Sequence, residues 1–314
     1  QGHRIGEWAA QGGTVTLSGA EVISQAGSVV NLAGGTLDVA TGYVNQTWLR
    51  GADGGIYTLS DAPAWLGFMG LYTGYSLDHQ RWQVTENFAS PIIAPQRRLE
   101  NGYTVGRDAG RLILSAPTVV MEGDVVADVF NGPAQTTARP GQEIDGYLLS
   151  QYAAARAGVL AIGSYSMQGL IGISDTDIRI GNFARQHGSL GIDDDIDADR
   201  LGTAWLDASR LNGMGLGGLE LGSRHGITIE APLEMASGGS IKLIAPVIDI
   251  AADVTARGGS FKGTNLFTPA VTPGNVPQTQ ELEIDGTASV TLREGVTLDL
   301  RGLWLNGKDG DADL

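Results

Sequence analysis

The chain has 314 residues, which predicts one large domain or two smaller ones. Its 47 glycines are twice the usual share of about 7%, and the 35 acidic residues against 20 basic ones give a net charge of −15. Nucleic-acid binding and binding to an anionic membrane surface need clustered Lys or Arg, which the sequence lacks, so neither partner is expected. Cysteine is absent, which excludes disulfides, zinc–thiolate sites and cysteine nucleophiles. No apolar run of about 18 residues is present, so no membrane insertion is expected.

Residues 1–42 and 109–131 predict short strands separated by glycine turns, and a related pattern returns near the end of the chain. When residues 111–127 are aligned with residues 240–256, Leu114 falls on Leu243 and Asp124 falls on Asp253. The sequence Gly-Gly-Ser at residues 238–240 recurs at residues 258–260. Strands this short bury a core only when they are stacked coil on coil, about 4.8 Å apart.

This repeat predicts an all-β fold, a parallel β-helix with coils of about 20 residues. An antiparallel β-sandwich also has short strands and glycine turns, and it remains the alternative. Coils are expected over residues 1–42, 109–131 and 226–314, with a loop over residues 268–280 in the last group.

Two stretches interrupt the coils. Residues 43–108 hold half of the Trp, Tyr and Phe residues, which predicts an aromatic-rich insertion or a lateral subdomain. Residues 132–225 are expected to be an irregular insertion with one short helix, in which Asp145 is the N-cap and Gly158 ends the helix.

Acidic residues are the first candidates for chemistry, because glycosidases use paired carboxylates. The densest acidic cluster comprises Asp193, Asp194, Asp195, Asp197 and Asp199. These residues follow one another along one loop, whereas acids on stacked coils would be separated by about 20 residues. We therefore predict no catalytic residues, no cofactor and no enzymatic activity.

Two weaker patterns suggest ligand sites. Asp309, Asp311 and Asp313 alternate as in the front half of a calcium loop, but no closing Glu follows, so a solvated acidic turn is the alternative. Aromatic rings can stack on sugars, and the candidates for a carbohydrate platform are Trp48, Trp65, Tyr72 and Trp82. The alternative is that these rings form the hydrophobic core of the insertion itself.

Four segments carry a resemblance to a known family: residues 35–40 (GTLDVA), 46–49 (QTWL), 102–112 (GYTVGRDAGRL) and 135–141 (QTTARPG). They resemble filamentous-haemagglutinin-type exoproteins of Gram-negative bacteria, and in particular a domain of those proteins that has no assigned activity. The resemblance implies that the β-helix is right-handed and that the chain is exported through an outer-membrane partner by two-partner secretion. The Asn-Pro-Asn-type signature of the family's secretion domain is absent, so we expect a segment downstream of that domain, within a longer polypeptide.

The expected function is that of a non-enzymatic shaft segment of a large adhesin, secreted or displayed on the bacterial surface. A stiff rod would present lateral loops to glycans or other cells in adhesion, aggregation or biofilm formation, and repetition would supply avidity. One alternative is a self-assembling fibre or surface-layer subunit that associates end to end. The other is a β-helical polysaccharide lyase or hydrolase.

Overall fold

In the computed structural model, the described residues are 9–59, 62–63, 65–72, 74–88, 97–136, 153–165, 171–183, 190–191, 193–267, 280–281 and 288–302. Within these ranges the chain is mostly β-structure, which confirms the prediction of an all-β protein. Helical segments whose bounds are described are Pro133–Thr136, Ala208–Gly213 and the 3-10 turn Ala198–Arg200, and residues 9–10 are helical as well. None of the helices in this part of the chain is long and apolar enough to cross a membrane.

The strands, in chain order, are β1 (Thr14–Ser18), β2 (Glu21–Ser24), β3 (Val29–Asn31), β4 (Thr36–Val39), β5 (Gly42–Asn45), β6 (Trp48–Gly51), β7 (Ile56–Thr58), β8 (Phe68–Leu71), β9 (Tyr75–His79), β10 (Val84–Phe88), β11 (Arg97–Glu100), β12 (Tyr103–Gly106), β13 (Arg111–Ser115), β14 (Thr118–Met121), β15 (Asp124–Val126), β16 (Val159–Ile162), β17 (Ser164–Tyr165), β18 (Ile171–Gly172), β19 (Asp177–Gly181), β20 (Thr203–Asp207), β21 (Gly218–Gly222), β22 (Gly226–Ile229), β23 (Leu233–Glu234), β24 (Ser240–Ile244), β25 (Val247–Ile250), β26 (Val254–Thr255), β27 (Ser260–Thr264), β28 (Leu266–Phe267), β29 (Gln280–Glu281), β30 (Ser289–Leu292) and β31 (Leu298–Asp299).

The chain divides into two compact units. Unit 1 comprises Gln1–Leu37, Gly106–Phe130 and Ala154–Trp304, and unit 2 comprises Asp38–Val105, Asn131–Ala153 and Leu305–Leu314.

Unit 1 is built from parallel sheets. Within the described residues, sheet A has the order β1-β13-β16-β21-β24-β27, and sheet B has the order β2-β14-β20-β19-β22-β25-β30. Two smaller parallel sheets follow, sheet C (β3 and β15) and sheet D (β23-β26-β31). Most segments of unit 1 therefore place one strand in sheet A, the next in sheet B and a third in sheet C or D. This parallel arrangement differs from an antiparallel β-sandwich.

The core of unit 1 consists of rows of apolar side chains, one from each strand of a sheet. Alternate residues of a strand face opposite sides, so every second residue points inward. In sheet A, Leu114 pairs with Leu17 and Ile162, and the same row continues through Leu221 to Leu243. The alignment of residues 111–127 with residues 240–256 therefore places equivalent residues in one row of one sheet.

Sheet B has one more strand than sheet A between β14 and β22. Between β13 and β21 sheet A contains one strand, β16, whereas between β14 and β22 sheet B contains two, β20 and β19. These two strands follow each other in the chain and pair in parallel. The described residues between these strands, 182–183, 190–191 and 193–202, belong to no sheet and are called the excursion below. The Gln25 side chain binds the backbone of Leu190 in this excursion. Its Nε2 donates to the Leu190 carbonyl at 2.7 Å, and its Oε1 accepts from the Leu190 N–H at 3.2 Å.

Buried hydroxyl groups satisfy the backbone immediately before β19. The Thr176 side chain is fully buried and donates to the carbonyls of Ala116 and Pro117, at 2.9 and 2.8 Å. The Ser223 hydroxyl donates to the Thr176 carbonyl at 2.5 Å. Buried backbone groups without partners are costly, so these side chains stabilise a corner at which regular pairing is interrupted.

The structure corrects the expectation of an irregular insertion over residues 132–225. Four core strands, β16, β19, β20 and β21, lie in that stretch and belong to sheets A and B. The excursions between them conceal the repeat in the sequence. Of the predicted helix, residues 145–152 lie outside the described residues, and residues 153–158 have no helical structure. Gly158 instead donates its N–H to the Ala127 carbonyl at 2.7 Å.

Unit 2 contains small antiparallel sheets. β6 lies between β7 and β8, β9 pairs with β10 as a hairpin, and β5 pairs with β11. Tyr57 on β7 donates its hydroxyl to Asp53 at 2.6 Å and meets the Phe68 ring edge-on, with ring centroids 6.0 Å apart.

Candidate functional site

The outer face of sheet B carries a group of charged and aromatic side chains that contact one another. Ile178 and Ile180 of β19 are fully buried, and because side chains alternate, Asp177 and Arg179 face outward. In register, Arg179 lies between Trp205 of β20 and Thr228 of β22. The period-two alternation of the strand therefore sets the position of the site.

An ion pair and two stacked rings form the centre of this face. The Arg179 guanidinium donates to Glu230 Oε1 from Nε at 3.1 Å and from Nη2 at 2.6 Å. The Phe183 and Trp205 rings stack with centroids 5.2 Å apart, and the Arg179 guanidinium lies 5.8 and 5.6 Å from them. A Cβ at Gly181 would lie 2.9 Å from the Phe183 ring, so glycine lets this ring lie close to the strand.

A second arginine, Arg200 of the excursion, contacts the Trp205 ring. Arg200 is only 3% exposed, and its guanidinium carbon lies 4.5 Å from the Trp205 ring centroid. Burial lowers the pKa of the Arg200 guanidinium, while the charges of Asp199 and Glu122 act in the opposite direction. Cation–π contacts that exclude water stabilise by about 2 kcal/mol, so this contact fastens the excursion to the sheet.

Titratable groups lie beside the aromatic pair. Burial raises the pKa of the half-buried Asp177 carboxyl above its usual value, and the charges of Arg179 and His225 oppose this shift. His225 Nε2 lies 2.6 Å from Asp175 Oδ1. A raised pKa is common among carboxyls that act as general acids, which makes Asp177 a candidate proton donor.

The neighbouring acids are engaged with cations. Glu230 accepts from Arg179, and further along sheet B the Asp249 carboxylate accepts from Arg293 at 2.5 Å. That bond lowers the pKa of Asp249. Ion pairs of this kind explain why carboxylates lie on the face of a sheet, and the explanation needs no catalytic role.

The structure brings two of the four aromatic candidates together. Tyr72, which follows β8, donates its N–H to the carbonyl of Trp48 on β6 at 2.8 Å, so the two residues are neighbours. Trp65 precedes β8 and is 83% exposed, while Trp82, in the turn of the β9–β10 hairpin, is 68% exposed and meets the His79 ring at 5.6 Å. The candidates therefore lie on two different sheets of unit 2.

The remaining site predictions have separate outcomes. Asp309, Asp311 and Asp313 lie outside the described residues. Asp193 to Asp195 lie on the excursion, where Gly191 donates its N–H to Asp194 at 2.6 Å. In the described ranges, no three His, Asp or Glu side chains converge as metal ligands.

Sequence reasoning missed the Arg179–Trp205 group. The signal was present in the alternation of DIRIG at residues 177–181 and TAWLD at residues 203–207, where polar or aromatic residues occupy every second position. What the sequence lacks is any indication that these two strands are neighbours.

Comparisons with known proteins add no identification. No family model, no curated protein and no solved structure matches the chain.

Proposed function

We propose that the chain is a non-enzymatic shaft segment of a large bacterial adhesin, built around a right-handed parallel β-helix. The observation that carries the proposal is the order of the strands in unit 1. Successive strands enter sheet A, sheet B and then sheet C or D, and equivalent strands pair in parallel from one coil to the next. A chain that returns to the same sheet after every coil advances by about 4.8 Å and forms a stiff support.

The burial pattern agrees with a mechanical role. The inward rows of sheets A and B are fully buried through the middle coils, as at Leu219, Ile227 and Ile248. Each coil then buries its apolar face only against its neighbours, which is the property that makes repeat architectures quasi-one-dimensional. Such a support separates a binding surface from its anchor without needing a catalytic site.

Export, location and partners follow from the resemblance to filamentous-haemagglutinin-type exoproteins. We expect an outer-membrane partner during secretion, an extracellular or surface location, and glycans or other cells as ligands. The most exposed aromatic rings among the candidates, those of Trp65 and Trp82, are the surfaces we expect to stack on sugars. A net charge of −15 favours neutral glycans over acidic ones, because like charges repel.

A polysaccharide-cleaving enzyme is the second candidate, and one observation favours it. The raised pKa of Asp177 is a property of proton donors, and Glu230 lies on the same face of sheet B. Such an enzyme would use Asp177 as the general acid. We rank it second because Glu230 is bound by Arg179.

Affinity electrophoresis separates the two functions. The purified chain runs through gels that each contain one bacterial or host polysaccharide, and the gels are then stained for glycan. Retardation without clearing is expected for the adhesin, and it should be lost in Trp65→Ala or Trp82→Ala. Phe130→Ala removes an exposed ring from unit 1 and serves as the control.

Each other outcome has a defined meaning. Clearing around the band that disappears in Asp177→Asn would establish the enzyme. Neither retardation nor clearing across the panel would contradict an adhesive role for this segment. Equal loss of retardation in Phe130→Ala would show that the aromatic candidates of unit 2 are not the binding surface.

A further inference from the structure

The β9–β10 hairpin of unit 2 has one polar face and one face with exposed apolar side chains. On the polar face the Thr85 hydroxyl donates to Asp78 Oδ1 at 2.6 Å, so these two side chains satisfy each other. Side chains alternate along each strand, which places Leu77 and Val84 on the opposite face. Leu77 is 46% exposed and Val84 is 50% exposed. Apolar side chains that lie together in water are typical of a binding surface.

An ion pair lies between these apolar side chains. In the register of the hairpin, Leu77 lies opposite Glu86 and His79 lies opposite Val84, so the four side chains share one face. His79 Nε2 lies 3.3 Å from Glu86 Oε2, on the diagonal of this group. The Glu86 side chain is 52% exposed. A carboxylate has about four acceptor positions, so Glu86 can also accept hydrogen bonds from a ligand.

Trp82 stands at the turn end of this group. The Trp82 N–H donates to the His79 carbonyl at 2.9 Å, which fixes the turn. The Trp82 and His79 ring centroids are 5.6 Å apart, and Trp82 is 68% exposed, so most of its surface is open to a ligand. Gln83 follows with a φ of +52°, the only positive value at a non-glycine residue among those described. Strained backbone of this kind is concentrated at ligand-binding sites.

The chemistry of this face selects one class of ligand. A purely apolar partner would bury the ion pair without new hydrogen bonds, which is costly. Glu86 repels an anion, and the exposed Arg81, next to Trp82 in the turn, opposes a cation. A neutral pyranose sugar has a C–H face that can stack on an aromatic ring and a rim of hydroxyl groups that can donate to a carboxylate. It therefore matches both parts of the face.

We propose that Trp82, His79 and Glu86 form a binding site for one neutral pyranose sugar. The Trp82 ring supports the C–H face of the sugar, and the Glu86 carboxylate accepts hydrogen bonds from its hydroxyl groups. His79 holds that carboxylate in place, and Leu77 and Val84 add apolar surface on either side of the pair. The site rests on the adhesive function proposed above and assigns glycan recognition to one of its two most exposed aromatic candidates.

Saturation-transfer NMR of the whole chain with the methyl glycosides of glucose, galactose and mannose tests the site. We expect transfer to at least one of these sugars, strongest for the protons on one face of its ring, because that face stacks on Trp82. Trp82→Ala should abolish the transfer. Glu86→Gln should weaken the affinity about tenfold, because a hydrogen bond to a charged acceptor becomes one to a neutral acceptor.

Asp78→Asn is the matched control. It removes the same charge from the same hairpin, but from the polar face, so the affinity for the sugar should not change. Asp78, Trp82 and Glu86 are all exposed, so each variant should keep the circular dichroism spectrum of the wild type. Loss of binding then reports on the site rather than on folding.

Four results would overturn the inference. They are no transfer to any of the three sugars, transfer that survives Trp82→Ala, equal weakening in Asp78→Asn, and stronger transfer to choline that Glu86→Gln abolishes. The last result would indicate a site for cations.

The glycan gels separate failure of this site from failure of the adhesive function. A polysaccharide that retards Trp82→Ala as strongly as the wild type, but does not retard Trp65→Ala, would refute this site and leave the adhesive function intact. Absence of retardation across the whole panel would contradict the adhesive function itself.

Discussion

Replacing Gly259 by Ala tests the stacking of the coils at the repeated Gly-Gly-Ser turn. Gly259 precedes β27, and the Ser260 N–H that follows donates to the Gly239 carbonyl of the previous coil at 2.9 Å. A Cβ on Gly259 would lie 1.8 Å from that same carbonyl oxygen. The obstacle is backbone rather than a flexible side chain, so one coil must move away from the next.

The expected cost follows from what that movement breaks. Losing the Ser260 hydrogen bond costs about 1 kcal/mol. Overpacking a tightly packed position adds about 2 kcal/mol, for a total of about 3 kcal/mol. At about 3 °C for each kcal/mol in a unit of this size, the melting temperature should fall by roughly 9 °C.

Two further Gly→Ala substitutions serve as controls, because neither introduces this clash with the backbone. Gly258 has a φ of +67° with open space around it, so Gly258→Ala should cost only the strain of that conformation, about 1–2 kcal/mol. Gly213 ends the helix Ala208–Gly213, has an ordinary φ and meets no atom within 4 Å. Gly213→Ala should therefore be neutral or slightly stabilising.

Urea denaturation monitored by far-ultraviolet circular dichroism measures the three variants against the wild type. The expected order of destabilisation is Gly259→Ala, then Gly258→Ala, then Gly213→Ala. If Gly259→Ala unfolds at the same urea concentration as Gly213→Ala, the close approach of consecutive coils at this turn is wrong.

Three other predictions concern the buried hydroxyl of Thr176, the carboxyl of Asp177 and the contact of Gln25 with Leu190. Thr176→Val should lower the free energy of unfolding by about 1–3 kcal/mol, because buried carbonyls lose their donor, and Thr176→Ser should recover most of it in the same urea assay. Burial raises the folded-state pKa of Asp177, so its ionisation weakens the fold as pH rises through that pKa. Asp177→Asn should therefore be more stable than the wild type at neutral pH, and equal stability there would refute the assignment. Gln25→Ala removes both hydrogen bonds to Leu190 and should speed limited proteolysis of residues 182–202, while an unchanged cleavage rate would contradict the contact.

Much of the stacking in unit 1 was predictable from local pattern. The strand β13 and the strand β24 carry alternating apolar residues, and the aligned pair Leu114 and Leu243 occupies one row of sheet A. Period-two alternation and a repeated turn are properties of neighbouring residues, so a single sequence displays them. The all-β class follows from those two signals.

The position of the additional strand in sheet B was not predictable from local pattern. Neither β19 nor β20 was predicted, because residues 132–225 were expected to be an irregular insertion, and the 21 residues between the two strands carry no periodicity that would indicate their pairing. Their placement depends on distant partners such as Thr176 with the Ala116 carbonyl, 60 residues away in the chain. Sequence separation of this size leaves no local signature.

The extra strand also explains why the polar and aromatic group lies where it does. A regular coil offers its outer face to solvent, but here the buried Arg200 of the excursion packs on the outer face of sheet B. Trp205 lies on the inserted strand, Arg200 lies on the excursion, and their cation–π contact joins the two. The same insertion brings Arg179 beside Trp205 and so places Glu230 and Asp177 next to an aromatic pair. Arg179 and Trp205, at the centre of this group, are therefore explained by packing contacts, and this is the physical reason for ranking a shaft above an enzyme.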